Sequence, residues 1–182
     1  LVNQFEAFLI HPELPDMRRY QQNPLLYFRE EGYLAEPIFL LHENGEGIEV
    51  ADYIDHDDLS NEFLYELANN EKRNFQIIEY MRSIPSGGSS LVYSCTVEHA
   101  KFLAMMMNSI GRKSAVISAD TPKPIRRIHI AAFKKGDIEF LFNYGVLTTG
   151  FDAPKTDHIL ICRPTSSSIL YEQMVGRGLR GE

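Results

Sequence analysis

Apolar positions change their period along the 182-residue chain. Residues 1–23 are polar, proline-interrupted and weakly periodic, which predicts one or two short helices or a connecting arm. Residues 24–31 read as a helix with Pro24 in its first turn and Gly32 as its stop. The short apolar run at 36–42 predicts a strand. Residues 43–58 are acidic, contain Gly45 and Gly47, and predict a loop or irregular hairpin. From 59 to 84, Phe63, Leu64, Leu67 and Ala68, then Ile77, Ile78 and Met81, recur at helical spacing, with Asn70 as a break between two helices. After the turn at 85–90 the period alternates. Strands are predicted at 90–95, 115–118, 139–143 and 157–162, and helices at 96–110, 124–135 and 167–175. Thr96 suits the N-cap of the first of these helices, Glu98 its first turn, and Gly111 and Gly136 the ends of the first two. Short apolar strands alternating with such helices predict an α/β domain: a mostly parallel sheet with helices on both faces, preceded by a helical or irregular N-terminal extension. We place an arm or interdomain connector at 1–35 and one domain at 36–182.

Composition permits a packed core, with 44% hydrophobic and 24% charged residues. No run approaches the roughly 18 apolar residues of a membrane helix, and no membrane partner is expected. The first residues carry no basic-then-apolar leader, and Leu1 in place of Met suggests a processed or excised piece. Cys95 and Cys162 are expected as buried free thiols, which fits a reducing compartment. The six histidines make no metal-ligand pair at helical spacing and are expected as surface or capping groups; no metal site is expected. Charge is divided unevenly. Residues 1–85 hold 17 acids and 6 bases, a balance of −11, and residues 86–182 hold 8 acids and 12 bases, a balance of +4. The basic half could face an anion, or both halves could be ordinary solvated surfaces.

No G-x-x-x-x-G-K-[ST] phosphate loop, G-x-S-x-G, H-E-x-x-H or G-x-G-x-x-G is present. The glycine-rich stretch at 86–90 lacks the lysine and precedes a strand, whereas a phosphate loop follows one. Three features remain. Arg177 and Arg180, three residues apart, could aim two planar guanidinium forks at one phosphoryl group, or form a solvated basic tail. In residues 148–154, Thr149 offers donors to a phosphate, Gly150 lets backbone approach, and Asp152 can accept from a ribose hydroxyl; an ordinary turn has the same composition. Ser94, Cys95 and Thr96 lie at a strand exit beside a helix start, where α/β sheets bind anions and where a plain helix cap also fits.

In their order and spacing these features resemble the C-terminal, second RecA-like domain of superfamily 2 helicases. Residues 90–100 look like motif IV, 127–143 like the approach to motif V, 149–154 like motif V, and Gln173-x-x-Gly176-Arg177-Gly178-Leu179-Arg180 like motif VI. The resemblance covers about 59–182. Gln173, where RNA-remodelling DEAD-box proteins commonly carry His, and Leu179, where they carry Gly, make it closer to DNA repair helicases and restriction-enzyme motor subunits. It implies ATP with Mg2+, held mainly by a first RecA-like domain of the same polypeptide, and DNA in preference to RNA as partner. By the same resemblance, Arg177 and Arg180 would be arginine fingers, while Asp152, Gly150, Gln173 and Gly176 would belong to the nucleotide side. Thr149, with Ser94, Cys95 and Thr96, would follow a strand's phosphates, with Gly150 beside Thr149 there. The fragment alone would be inactive. The implied location is cytoplasmic or nucleoid-associated, or nuclear in a eukaryote. Two other readings stay open: a non-catalytic nucleic-acid-binding or scaffolding module with the same fold, and a small-molecule enzyme, for which no nucleophile, acid–base pair or cofactor loop is visible.

Overall fold

The structure, a computed structural model, describes residues 17–35, 38–41, 53–55, 58–146 and 156–177. Two short helices come first, α1 (Met17–Gln22) and α2 (Pro24–Glu30). Asn23 caps α2 by accepting from Leu26 N at 3.1 Å, and proline stands in the first turn. Of the strand expected at 36–42, residues 38–41 are described and belong to no sheet; Ile38 and Leu41 are 87% and 86% exposed. Apolar composition alone does not make a strand, because a strand also needs a neighbour to take its backbone donors and acceptors. The irregular hairpin is visible in part, as β1 (Ile54–Asp55) paired antiparallel with β2 (Asp58–Leu59).

The helical stretch divides where expected. α3 (Asn61–Asn69) and α4 (Glu71–Ser83) meet at Asn70, whose backbone closes α3 and whose Oδ1 accepts from Arg73 N at 2.9 Å to open α4. Ser60 caps α3 through Phe63 N, and Phe63, Leu64, Leu67 and Ala68 bury its inner face.

Four strands form the sheet in the order β4-β5-β3-β6, every pair parallel: β3 (Ser90–Tyr93), β4 (Ser114–Ile117), β5 (Phe140–Asn143) and β6 (His158–Ile161). Between them run α5 (Val97–Ser109) and α6 (Lys123–Lys135), and α7 (Ser168–Val175) follows β6. Successive residues of a strand face opposite sides, and the core divides accordingly. On one face Val92, Phe140, Phe142 and Leu160 pack with Met81 and Ile84 of the α4 end and with Ala100, Leu103, Ala104 and Met107 of α5. On the other, Leu91, Tyr93, Ile117 and Leu141 pack with Phe133 of α6 and Met174 of α7. This is the doubly covered parallel sheet predicted from the sequence. Gly136 ends α6 at φ 78°, a left-handed position that favours glycine.

The amino edge of the sheet is fastened by charge. Arg112 Nε donates to Glu139 Oε2 at 2.8 Å and Nη1 to Ile84 O at 3.0 Å, while the guanidinium lies 5.0 Å from the centre of the Phe140 ring. Ser89 donates through N and Oγ to Asp157 Oδ2 at 2.7 and 3.1 Å. These contacts fix strand register at the end opposite the carboxyl edge. No described helix is long and apolar enough to cross a membrane.

Candidate functional site

Parallel strands deliver their exits to one edge, and ligands of open α/β sheets bind there. Residues 94–96 leave β3, Ser118 leaves β4, residues 144–146 leave β5 and residues 162–166 leave β6. The ladder continues past the strand ends: Ser94 N donates to Asn143 O at 3.0 Å, Tyr144 N to Ile117 O at 3.2 Å, and Cys162 N to Tyr93 O at 2.9 Å. The four exits are therefore held in fixed relation.

Of the β3 exit, Ser94 is buried, and its hydroxyl has no hydrogen-bond partner among the described residues. Cys95 is buried too; its thiol donates to Cys162 O at 3.1 Å, so at this position only the backbone belongs to the edge. Burial raises the Cys95 thiol pKa against the opposing charge of Arg73, and pushes that of Cys162 up to about 12. Both are inert neutral thiols, as expected of buried cysteines. Thr96 Oγ1 accepts from His99 N at 3.0 Å and caps α5, the role its position predicted; a hydroxyl used as acceptor still has a proton to donate.

Behind this exit lies a buried polar network that sequence reading missed. His99 is 2% exposed, which corrects the expectation of surface or capping histidines. Its Nδ1 accepts from Cys95 N at 3.3 Å, and its Nε2 stands 3.0 Å from Asn74 Oδ1. Asn74 Nδ2 donates to Ala68 O at 2.8 Å, which leaves Oδ1 as the acceptor toward His99 and places the imidazole proton on Nε2. Burial, then the nearby Arg73 charge, lower the His99 pKa to about 4. Arg73 itself donates to Cys162 O and to Leu67 O. The α3–α4 corner is thus bonded to the exits of β3 and β6. A histidine at the third position of a helix, four residues after a buried cysteine, carries little signal; its burial depends on a helix whose Asn74 lies 25 residues upstream.

The β5 exit leads into 147–155. Thr149, Gly150 and Asp152 lie outside the described residues, as does Arg180. Asn143, fully buried at the last position of β5, accepts from Val146 N at 3.3 Å and bends the chain into that segment. Asparagine closing an otherwise apolar strand was the available signal for it.

The β6 exit leads to α7. Ser167 caps α7 by accepting from Leu170 N at 3.3 Å. Met174 is buried beside Tyr93 in the same cluster, which draws the far end of the helix onto the sheet. The helix stops at Val175; Gly176 keeps right-handed geometry, φ −59°, and donates to Glu172 O at 2.8 Å. A Cβ at Gly176 would stand 2.9 Å from that same carbonyl, too close without a shift. Gln173 and Arg177 are half-buried. Burial pushes the Tyr93 phenol up to about 12, against a lowering contribution from the Arg177 guanidinium, which is therefore within electrostatic reach of the last residue of β3. Gln173 lies on α7, Gly176 closes it and Arg177 follows directly. Among the described residues no group of three or more His, Cys, Asp or Glu is arranged to hold a metal ion.

Known proteins share this fold. The helicase conserved C-terminal domain matches residues 64–182. The candidate ATP-dependent helicase IRC3 of Saccharomyces cerevisiae is 39% identical over 92 residues, which is 50% of this chain and 13% of that protein. Across its curated relatives the chain spans between 13% and 22% of their own lengths. Among solved structures, a candidate HsdR subunit of a type I restriction enzyme from Vibrio vulnificus shares the fold with a TM-score of 0.57 and 22% identity, over 66% of this chain and 26% of that one. A DEAD box protein from Methanococcus jannaschii does so with a TM-score of 0.56 and 24% identity, over 62% and 31%. With its RecA-like parallel sheet and with a family match over more than half its length, the chain belongs to the helicase conserved C-terminal domain family.

Proposed function

We propose that this chain is the second motor domain of an ATP-dependent nucleic-acid helicase or translocase, with DNA as substrate in preference to RNA. The observation that carries the reading is that α7, which follows β6, is anchored to the sheet by Met174 and brings Arg177 within electrostatic reach of Tyr93, the last residue of β3. From there it can reach a triphosphate presented by a facing phosphate-loop domain. Nucleotide and magnesium belong mainly to that domain: this chain contains no phosphate loop, and its donor set at the edge is cationic and polar. ATP supplies the phosphoryl group whose transfer drives the cycle.

The chain's own residues then divide the work. Arg177, with Arg180, neutralises charge that develops on the γ-phosphoryl oxygens; a finger of this kind is worth about 10³–10⁵ in turnover. Asp152 and Gln173 line the nucleotide side. Thr149, Gly150 and the β3 exit at Ser94, Cys95 and Thr96, chiefly through the Thr96 hydroxyl proton, contact the phosphates of one strand. The fixed β3, β5 and β6 exits let a single cleft closure move both sets of contacts together, and alternate closure and opening advances the strand. Contacts to phosphate carry little sequence information, so binding should be sequence-indifferent and fall steeply with salt.

The test compares the isolated chain with the full polypeptide. The full polypeptide should hydrolyse ATP with a turnover stimulated by DNA more than by RNA, and the isolated chain should show negligible turnover. A full polypeptide that binds nucleic acid and shows no stimulated hydrolysis would support a scaffolding module instead, and stronger stimulation by RNA would reverse the substrate preference.

A further inference from the structure

Asp58 lies before residues 64–182, upstream of the stretch that carries the family features. Yet its carboxylate makes three bonds to the β6 exit, more than a hundred residues later. Oδ2 accepts from Arg163 Nη2 at 2.6 Å, and Oδ1 accepts from Thr165 Oγ1 at 2.7 Å and from Ser166 N at 3.0 Å. The bonds continue inward. Thr165 Oγ1 accepts from Ser167 N at 3.1 Å, and Ser167 Oγ accepts from Leu170 N in the first turn of α7. One carboxylate thus fixes a side chain, a hydroxyl and a backbone amide of residues 163–166, and through two further bonds fixes the start of the helix that ends at Gly176 and Arg177. Asp58 and Arg163 are each about one fifth exposed, so the pair is shielded from solvent on most sides. Despite burial, the hydrogen bonds from Thr165, Leu59 and Ser166 and the charge of Arg163 hold the carboxyl below its ordinary range.

The far end of α7 has its own anchor, Met174 against Tyr93. The near end is held more lightly: Leu170 packs against the same cluster but is only partly buried, and Ile169 is 68% exposed and Tyr171 45% exposed. Without the clamp, an eight-residue helix held firmly at its far end and lightly through Leu170 can pivot about Met174. Its length is about 12 Å, so a small rotation moves Arg177 relative to the sheet edge. Misplacement by about 1 Å can cost a reaction about a hundredfold.

We propose that Asp58 is a positioning residue for the arginine end of α7: the hairpin upstream of the motor fold locks the 163–167 loop and so sets the register of Arg177 on the ligand edge. The inference rests on the finger reading of Arg177 given above. It is tested in two readouts, with Asp58→Ala, Thr165→Val and Arg177→Ala made in the full polypeptide. Amide hydrogen exchange should accelerate at least about tenfold at residues 166–171 in Asp58→Ala, and more weakly in Thr165→Val, while the amides of β3 and β5 keep their protection. The kcat of nucleic-acid-stimulated ATP hydrolysis should fall between about tenfold and a hundredfold in Asp58→Ala, with the KM for ATP changed little, and Asp58→Asn should recover part of it because an amide oxygen still accepts from Thr165 and Ser166. Unchanged exchange at 166–171 in both Asp58→Ala and Thr165→Val overturns the clamp. Accelerated exchange with unaltered kcat, while Arg177→Ala abolishes turnover, overturns the positioning role and leaves the finger standing. Near-normal turnover in Arg177→Ala overturns the finger reading, and the positioning role with it.

Discussion

Protonation of His99 should destabilise this domain as pH falls from neutral toward about 4. The imidazole is 2% exposed and is held neutral between Cys95 N and Asn74 Oδ1. Protonating Nδ1 would turn an acceptor into a donor aimed at an N–H group and would place a cation near Arg73 in the interior. Burial first, and Arg73 second, bring the native pKa to about 4 from an ordinary 6.5. Between those values the unfolded chain takes up a proton that the native state refuses. Stability conferred by the neutral histidine is therefore complete above pH 6.5 and is lost as pH falls toward the folded value. At about 1.4 kcal/mol per unit, the full loss is about 3 kcal/mol, and about 2 kcal/mol of it falls between pH ~7 and pH ~4.5. Asp58 contributes in a separate window. Its pKa is lowered below 3.8, so its contribution persists above that value and is lost only as pH falls through the lower folded one. Urea unfolding followed by circular dichroism at several pH values checks this, with His99→Gln as the reference. The variant should be less stable at neutral pH, because a glutamine cannot make both bonds, but should lack most of the wild-type slope between pH ~7 and ~4.5. Equal slopes in the two proteins would refute the assignment of that protonation to His99.

Three further outcomes follow from contacts described above. Arg112→Met should cost about 2–3 kcal/mol in urea unfolding, because it leaves Glu139 largely buried without its cation; Glu139→Gln, which keeps the shape, should cost less. Thr96→Ala removes the cap of α5 and should cost about 1 kcal/mol by the same assay. Thr149→Ala should weaken single-strand affinity of the full polypeptide without changing the unfolding midpoint, as read by fluorescence anisotropy; unaltered affinity would count against a phosphate contact there.

Legibility differed by the range of the interaction concerned. The sheet could be read because each strand carries its own apolar run and each helix its own punctuation: Thr96 before α5, Gly136 after α6, Asn70 between α3 and α4. All of these are decided within a few residues. Strand ends were read one or two residues too long at Cys95 and Cys162, because apolar character continues past the point where the backbone turns. Residues 38–41 show the converse error, an apolar run with no described strand beside it. At the site, Arg177 was legible through the motif and through its place after the last strand. His99 with Asn74, and Asp58 with Arg163 and Thr165, were not, since their partners lie 25 and more than 100 residues away and each residue alone looks like solvated surface.

The central claim is that Arg177 and Arg180 complete an ATP site built by another domain. Nucleic-acid-stimulated ATP turnover of the full polypeptide, measured beside ATP affinity for Arg177→Ala and for Arg180→Ala, tests it most directly. Each variant should lose turnover by about 10³-fold or more while still binding ATP. Turnover near the wild-type rate in both variants would contradict the claim.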